Sequence, residues 1–131
     1  MSVLLLDTDA CIEIIRGNPK PLDRFPEYRA VISTVSRFEI LSGLRGNGSP
    51  QRKARAHAFL DVVETFAFND SAADCAARVR IHLEAQGMPI GAYDLLLAGH
   101  ALAMGCPLLS GNLREFARVP DLKVVTWREE G

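Results

Sequence analysis

The sequence has almost no excess of charge of either sign. Its 15 lysine and arginine residues face 16 aspartate and glutamate residues, which leaves a formal net charge of −1 and an isoelectric point near 6.3. This balance excludes a chain that binds nucleic acid or an acidic membrane surface through its overall charge alone. Any contact with phosphate must therefore come from a local group of basic residues.

Cysteine pairs are absent as well. The three cysteines, Cys11, Cys75 and Cys106, include no C-x-x-C pair, and no histidine lies at zinc-finger spacing from them. This pattern argues against a disulfide framework and against a structural zinc site. Because each cysteine has apolar neighbours, we expect all three to be small core residues in a reducing compartment.

Long apolar runs are missing too. The most apolar later stretch, residues 95–109, is interrupted by His100, two glycines and Pro107, so it is too short and too broken to cross a bilayer. The amino terminus carries no basic leader, and Asp7 and Asp9 interrupt its apolar residues. We therefore expect a soluble, cytoplasmic protein with no membrane contact.

An alternation of strand and helix patterns fills the chain. With 131 residues, of which 48% are hydrophobic, we expect one domain over residues 1–131. A continuous apolar run over residues 3–6 is typical of a strand buried on both faces. The predicted strands are 3–6, 30–33, 65–68, 107–109 and 123–126. The predicted helices are 8–17, with Thr8 as its cap, then 35–44, 50–64, 71–86, 93–104 and 112–118, while the proline-rich segment 19–26 is assigned neither.

This alternation predicts an α/β fold: a Rossmann-like, three-layer arrangement with a central parallel sheet of about five strands and helices on both faces. In such sheets, functional sites form beyond the carboxyl ends of the strands. The residues that follow each strand are therefore the candidates for chemistry, and several of them are acidic.

Asp7 and Asp94 are the strongest candidates. Asp7 directly follows the first strand, where it either serves a site or caps the next helix. Asp94 begins an apolar helix and shares one face with the small residues Ala98 and Ala101, which leaves space beside its carboxylate. A carboxylate beside a buried helix needs a partner, and either the helix amino terminus or a metal ion can provide it.

Glu39, Asn112 and Glu115 complete the set. Glu39 lies on the helix 35–44, and Gly43 four residues later leaves room for a ligand, although a helical glutamate is often only solvated. Asn112 and Glu115 follow the fourth strand, where their spacing also fits a helix capping box. Carboxylates gathered from separate strand ends would repel one another. Magnesium resolves that repulsion, since it binds a few carboxylates, keeps several waters and polarises phosphate.

One stretch is basic. Arg45, Arg52, Lys53, Arg55 and His57 lie close together with no acid among them, beside a glycine-rich turn. The stretch is either a solvated helix start or a contact for RNA or for an acidic protein.

Three blocks of the sequence give it a family resemblance. They are L-L-L-D-T-D from Leu4, the I-G-x-x-D-x-x-x-A-x-H-A block from Ile90 and the N-x-R-E-F-x-R-x-P-x-L tail from Asn112. Together with the segment 33–43 around Glu39, they resemble the PIN-domain family, and within it the VapC-type toxins of bacterial toxin–antitoxin pairs. The resemblance runs essentially from end to end.

The resemblance implies a magnesium-dependent ribonuclease, with Mn²⁺ as a possible substitute. It further implies a homodimer that a small cognate antitoxin holds inactive in a larger assembly, and several relatives that cleave transfer RNA. Asp7, Glu39 and Asp94 fall on the family's three acidic positions. The fourth position falls on Asn112, a departure that removes one charge and weakens a second metal site, and for which Glu115 could compensate.

Two alternatives remain at this point. The Asp7-Thr8-Asp9 triplet after a buried strand also resembles the first motif of aspartate-nucleophile phosphatases. That chemistry needs a lysine near the phosphate and a late acidic pair, and none of Lys20, Lys53 and Lys123 lies just past a central strand. The other alternative is a catalytically inactive RNA-binding module of the same fold.

Overall fold

The parallel sheet is built around the apolar strand near the amino terminus. A computed structural model describes residues 2–44 and 48–128. Five parallel strands pair in the order β3-β2-β1-β4-β5. Leu5 of the central strand pairs with Val31 on one side and with Leu108 on the other. The strands are β1 (Val3–Leu6), β2 (Arg29–Ser33), β3 (Glu64–Phe66), β4 (Leu108–Leu109) and β5 (Val124–Val125).

Helices cover both faces of this sheet. Side chains alternate between the faces along each strand, so an all-apolar strand presents apolar side chains to both of them. Leu4 and Leu6 point to a core shared with the first, third and fourth helices, and Leu5 points to a core shared with the last three. The helices are α1 (Thr8–Ile15), α2 (Lys20–Asp23), α3 (Thr34–Gly43), α4 (Pro50–Val62), α5 (Asp70–Ala85), α6 (Ala92–Met104) and α7 (Leu113–Phe116). The predicted three-layer α/β fold is thus confirmed.

Helices α5 and α6 pack unusually closely. A Cβ added to Gly99 on α6 would lie 2.5 Å from the backbone nitrogen, Cα and Cβ of Ala76 on α5. Only glycine allows this approach, because the backbone of Ala76 cannot yield as a flexible side chain would. The close contact sets the position of α6 against the body of the domain.

Several local predictions were wrong. The proline-rich segment contains the short helix α2, with the buried Pro21 near its start, where a proline's missing N–H costs nothing. Asp7 rather than Thr8 caps α1. Strand β3 ends at Phe66, two residues before its predicted end. Strand β1 has its predicted bounds, and the other helix and strand bounds shift by at most two residues, as is usual at helix and strand ends.

The cysteines differ from one another. Cys11 is fully buried in the core, as expected, whereas Cys75 and Cys106 are half-buried. Cys106 packs against the core, but the sulfur of Cys75 accepts a hydrogen bond from Arg78 at 3.2 Å. In the described part of the chain, no helix has the length and apolarity needed to cross a membrane.

Candidate active site

Asp7 occupies the carboxyl end of the central strand. Its backbone N–H donates to Leu109 of β4 at 2.9 Å, which continues the pairing one residue past β1. Its side chain is only 2% exposed. Oδ1 accepts a hydrogen bond from the N–H of Ala10 at 2.8 Å, so Asp7 is the N-cap of α1. The capping alternative is correct, and it occupies one carboxylate oxygen.

The environment of Asp7 is short of positive charge. Burial raises the pKa of Asp7 to about 6; hydrogen bonds from Ser110 and Ala10 lower it in part, and repulsion from Asp9 and Glu39 raises it further. In the described residues, no lysine or arginine forms an ion pair with Asp7. A positive charge beside this carboxylate would therefore stabilise its charged form.

Glu39 is attached to Asp7 through a pair of hydroxyl groups. Thr8, directly after Asp7, donates from Oγ1 to Oε1 of Glu39 at 2.6 Å. Because the single proton of Thr8 is used there, the buried hydroxyl of Ser36 donates to Oγ1 of Thr8 at 3.0 Å. A Cβ added to Gly43 would meet nothing within 4 Å, so the predicted space beside Glu39 exists.

Asp94 lies in the first turn of α6 but does not cap it. The N-cap is Gly91, whose N–H donates to Oε1 of Glu115 at 2.9 Å. A Cβ on Gly91 would lie at ordinary contact distance from both carboxylates, 3.6 Å from Oδ2 of Asp94 and 3.8 Å from Oε1 of Glu115, so both acids lie beside this helix start. The close approach of two acids at one helix start is the feature that the sequence did not predict.

This approach changes the titration of Asp94. Burial raises its pKa to about 7, helped by a side-chain hydrogen bond with Glu115, by repulsion from Glu115, and then by repulsion from Asp7 and Asp9. The carboxyl of Asp94 therefore binds its proton more tightly than an ordinary aspartate does.

Asn112 caps α7, as expected, and pairs with Glu115 in an arrangement that resembles a capping box but lacks the bond from Glu115 to the backbone N–H of Asn112. Oδ1 of Asn112 accepts from the N–H of Glu115 at 3.2 Å, and its Nδ2 donates to Oε2 of Glu115 at 2.9 Å. The backbone N–H of Asn112 donates to Ser110 at 2.9 Å. Both side-chain polar atoms of Asn112 are thus engaged, and their effect is to hold Glu115 beside Asp94.

The carboxylate cluster, defined as Asp7, Glu39, Asp94 and Glu115, is open rather than a closed cage. No group of three acidic, histidine or cysteine side chains among residues 2–44 and 48–128 is tight enough to hold an ion unaided. Magnesium does not require such a cage, because it retains waters and binds through one or two carboxylates. The raised pKa values of Asp7 and Asp94 fit such an ion, since burial, and to a smaller extent neighbouring acids, disfavour the charged form of both carboxyls.

The basic stretch is only partly beside this cluster. Arg52 lines a small cleft together with Glu39 and Gly43, while Lys53 is half-buried and Arg55 is exposed on α4. Arg45 lies outside the described residues. The structure also brings in three hydroxyl residues that the sequence analysis did not single out as site residues, Thr8, Ser36 and Ser110. The available signal was their position within three residues of a strand end.

Fold and site together define a class: a parallel α/β domain with an open carboxylate cluster at the carboxyl edge of its sheet, suited to metal-assisted hydrolysis of phosphate esters. Residues 4–122 match the PIN domain, and the chain belongs to this family. Nucleases of the family are generally metal-dependent, in agreement with the cluster. Membership in the family leaves the phosphatase alternative without support.

Relatives and solved structures agree with this membership. The chain is 32% identical to the tRNA(fMet)-specific endonuclease VapC of Salmonella typhimurium, over 97% of this chain and 99% of the relative. It is 29% identical to the ribonuclease VapC2 of Rickettsia felis, over 95% and 98%. Among structures, DNA-bound VapBC from Salmonella typhimurium superposes with a TM-score of 0.88 at 30% identity, over 98% of this chain and 100% of that one. VapBC-1 from nontypeable Haemophilus influenzae gives 0.84 at 27%, over 95% and 98%.

Proposed function

We propose that this protein is a magnesium-dependent endoribonuclease and the toxin of a toxin–antitoxin pair. The single observation that carries the proposal is the juxtaposition of Asp7 with Asp94, each with a pKa raised by burial and by neighbouring carboxylates. The names of the relatives, endonuclease and ribonuclease VapC, and the solved VapBC assemblies support the same conclusion.

Each residue of the site has a distinct part in this proposal. Asp7 and Asp94 would hold the magnesium ion, with Mn²⁺ as a substitute, and Glu39 and Glu115 would extend the set. A bound ion of this kind neutralises phosphate charge and lowers the pKa of an attacking water. Thr8 orients Glu39, since its hydroxyl donates to that carboxylate at 2.6 Å.

Burial and the neighbouring Glu115 together raise the pKa of Asp94. Glu115 is fixed by hydrogen bonds from Gly91 and Asn112, so it cannot swing away from Asp94. The carboxyl of Asp94 is partly protonated near pH 7, because its pKa is raised to about 7. A cation held at Asp94 would compete with that proton.

The biological setting follows from the same relatives. We assign RNA as substrate, transfer RNA being the first to test, since one relative is named for a transfer RNA. We further assign a cognate antitoxin as partner, a homodimer within the larger assembly, a cytoplasmic location and a single domain over residues 1–131. Arg45, Arg52, Lys53 and Arg55 would contact RNA or the antitoxin.

Metal-dependent cleavage tests the proposal. Purified protein should cut single-stranded or loop RNA with Mg²⁺ or Mn²⁺, and EDTA should stop it. Asp94→Asn should lower the rate by at least ~10², because the lost charge removes several kcal/mol of electrostatic stabilisation. Gel analysis of labelled RNA measures the rate, and circular dichroism checks the fold.

Asp61→Asn is the matched control, since Asp61 is an exposed aspartate at the end of α4, away from the cluster. It should cut like the unchanged protein and, expressed without antitoxin, should arrest bacterial growth where Asp94→Asn does not. Equal cleavage by both variants would rule out the nuclease assignment. Tight RNA binding without any metal-dependent cutting would identify the inactive binding module instead.

A further inference from the structure

Arg128 is seated against two features that fix its position at the carboxyl edge of the sheet. Its guanidinium carbon lies 5.3 Å from the ring centroid of Trp127, which is only 4% exposed and therefore a rigid surface. A Cβ added to Gly111 would lie 2.6 Å from Nε and 3.1 Å from Nη2 of Arg128. Glycine at position 111 thus makes room for this arginine.

Gly111 also connects Arg128 to the carboxylate cluster. Its neighbours in sequence are Ser110, which hydrogen-bonds to Asp7, and Asn112, which holds Glu115. A cluster of carboxylates repels the phosphates of an approaching strand, so nearby cations are needed to offset that repulsion. In the part of the chain that the structure describes, Arg128 has no ion pair with a carboxylate.

A polar groove extends from Arg128 along α1 and α2. It has a volume of about 450 Å³ and is lined by Glu13, Asn18, Lys20, Trp127 and Arg128. This volume falls within the range of pockets that hold small ligands, roughly 300–1,000 Å³.

The charge of the groove is dominated by its two cations. Glu13 is engaged within the chain, because its Oε2 accepts from Asn18 at 3.1 Å and its Oε1 pairs with Arg16 at 3.8 Å. Lys20 and Arg128 are both exposed and have no carboxylate partner within ion-pair distance among the described residues. The groove therefore complements an anion.

We propose that Lys20 and Arg128 bind the RNA backbone phosphates next to the scissile one, and that the groove seats the adjoining nucleotide. The proposal rests on the proposed function, because it assumes an RNA substrate. The RNA strand would then run from the carboxylate cluster over Gly111 into the groove. This path lies on the side of the site opposite to β2.

Salt-dependent binding of a single-stranded RNA oligonucleotide tests this path. The measurement uses fluorescence anisotropy in an Asp94→Asn background, in which cleavage is slow. Arg128→Gln should weaken binding about fivefold at ~0.1 M salt and lower the slope of log K against log salt by about 0.7, and adding Lys20→Gln should double that change. Lys123 is exposed and lies just before β5, at the end of that strand away from the carboxyl edge. Lys123→Gln should therefore change neither value.

Gly111→Ala sharpens the test, because it displaces the guanidinium without removing its charge. It should reproduce the loss seen with Arg128→Gln, and the two changes together should add little more, since they act on one contact. Magnesium titration of the unchanged protein and of Arg128→Gln should give the same affinity, which separates phosphate binding from damage to the cluster.

The outcomes distinguish this proposal from the proposed function. If the salt slope of Arg128→Gln equals that of Lys123→Gln, the groove does not bind RNA phosphate, and the nuclease assignment remains intact. Unchanged RNA binding combined with weaker binding of the antitoxin would make the groove a protein contact and would also overturn it. If RNA binding responds as expected but the unchanged protein never cuts RNA, the groove stands and the nuclease assignment fails.

Discussion

The two halves of the carboxylate cluster are held in opposite ways. In the Asp7 half, consisting of Asp7, Thr8, Ser36 and Glu39, each carboxylate accepts hydrogen bonds from neutral donors, either backbone N–H groups or hydroxyls. In the Asp94 half, consisting of Asp94, Asn112 and Glu115, two carboxylates face each other. The Asp7 half is therefore organised by neutral donors of the chain, whereas in the Asp94 half burial and the neighbouring Glu115 raise the pKa of Asp94 to about 7.

This difference follows from where each half is built. The Asp7 half grows from the centre of the sheet, where burial demands that every polar atom be satisfied by the chain. The Asp94 half lies between the starts of α6 and α7, nearer to solvent, where water or a proton can relieve a charge. The Asp7 half therefore has fixed side-chain positions, whereas the charge of the Asp94 half depends more on its surroundings.

Removing the charge of the buried half should have the largest effect. Asp7→Asn should lower cleavage by at least ~10², because it removes a ligand carboxylate. It should also stabilise the metal-free protein above pH 6. The pKa of Asp7 is raised from 3.8 to about 6 in the folded state. The unfolded chain therefore loses its proton first, and stability falls by about 3 kcal/mol as pH rises from about 4 to above 6.

Asparagine caps a helix as well as aspartate does, so the fold should survive the change. Urea unfolding in EDTA between pH 4 and pH 8 measures the effect, and the pH dependence of Asp7→Asn should be weaker by about 3 kcal/mol. Asp61→Asn, at an exposed position, serves as the control. A pH dependence identical to that of the unchanged protein would show that Asp7 carries no buried charge.

Adding a charge to the outer half should have a smaller effect. Asn112→Asp replaces the Nδ2 donor to Glu115 with an oxygen, which raises repulsion in the metal-free state and attraction for a cation. We expect magnesium to bind about tenfold more tightly and the metal-free protein to lose about 1 kcal/mol of stability. Calorimetric titration and urea unfolding measure the two effects.

Asn69→Asp is the matched control for that change. Asn69 caps α5 through the same kind of hydrogen bond, from Oδ1 to the N–H of Ala72 at 3.0 Å. Magnesium affinity should not respond there. Equal affinity for Asn112→Asp and the unchanged protein would mean that Asn112 is a helix cap and does not influence the metal site.

The smallest effect is expected from the hydroxyl that connects Asp7 to Glu39. Thr8→Val keeps the shape of the side chain but removes the donor to Glu39, so cleavage should slow about fivefold, equivalent to about one net hydrogen bond. Thr8→Ser keeps the donor and should stay within about twofold. If serine and valine behave alike, the hydroxyl does not orient Glu39.

The sequence predicted the fold well because its strongest signals are local. The apolar run 3–6 and the alternation with helices were enough for five parallel strands with helices on both faces. Helix α2 was missed, because prolines at its start look like a loop when the packing of Pro21 is unknown.

The site was predicted only in part for a related reason. Asp7 and Asp94 were identified by their positions after a strand and at a helix start. The contact between Asp94 and Glu115 depends on how α7 folds back beside α6, at a separation of 21 residues along the chain, and no local pattern encodes it. Asp7 caps α1 through one carboxylate oxygen, so capping a helix does not exclude it from the proposed site.

The contact between Gly99 and Ala76 has a dynamic consequence. At Gly99 the backbone of α6 packs directly on the backbone of α5, with no side chain between them that could rearrange. We therefore expect α6 to move together with α5. Asp94 is therefore carried on the least compliant element of the site. The short helix α7 and the loop at residues 110–112 form the side of the site that faces α6. We expect any adjustment on ligand binding to occur there.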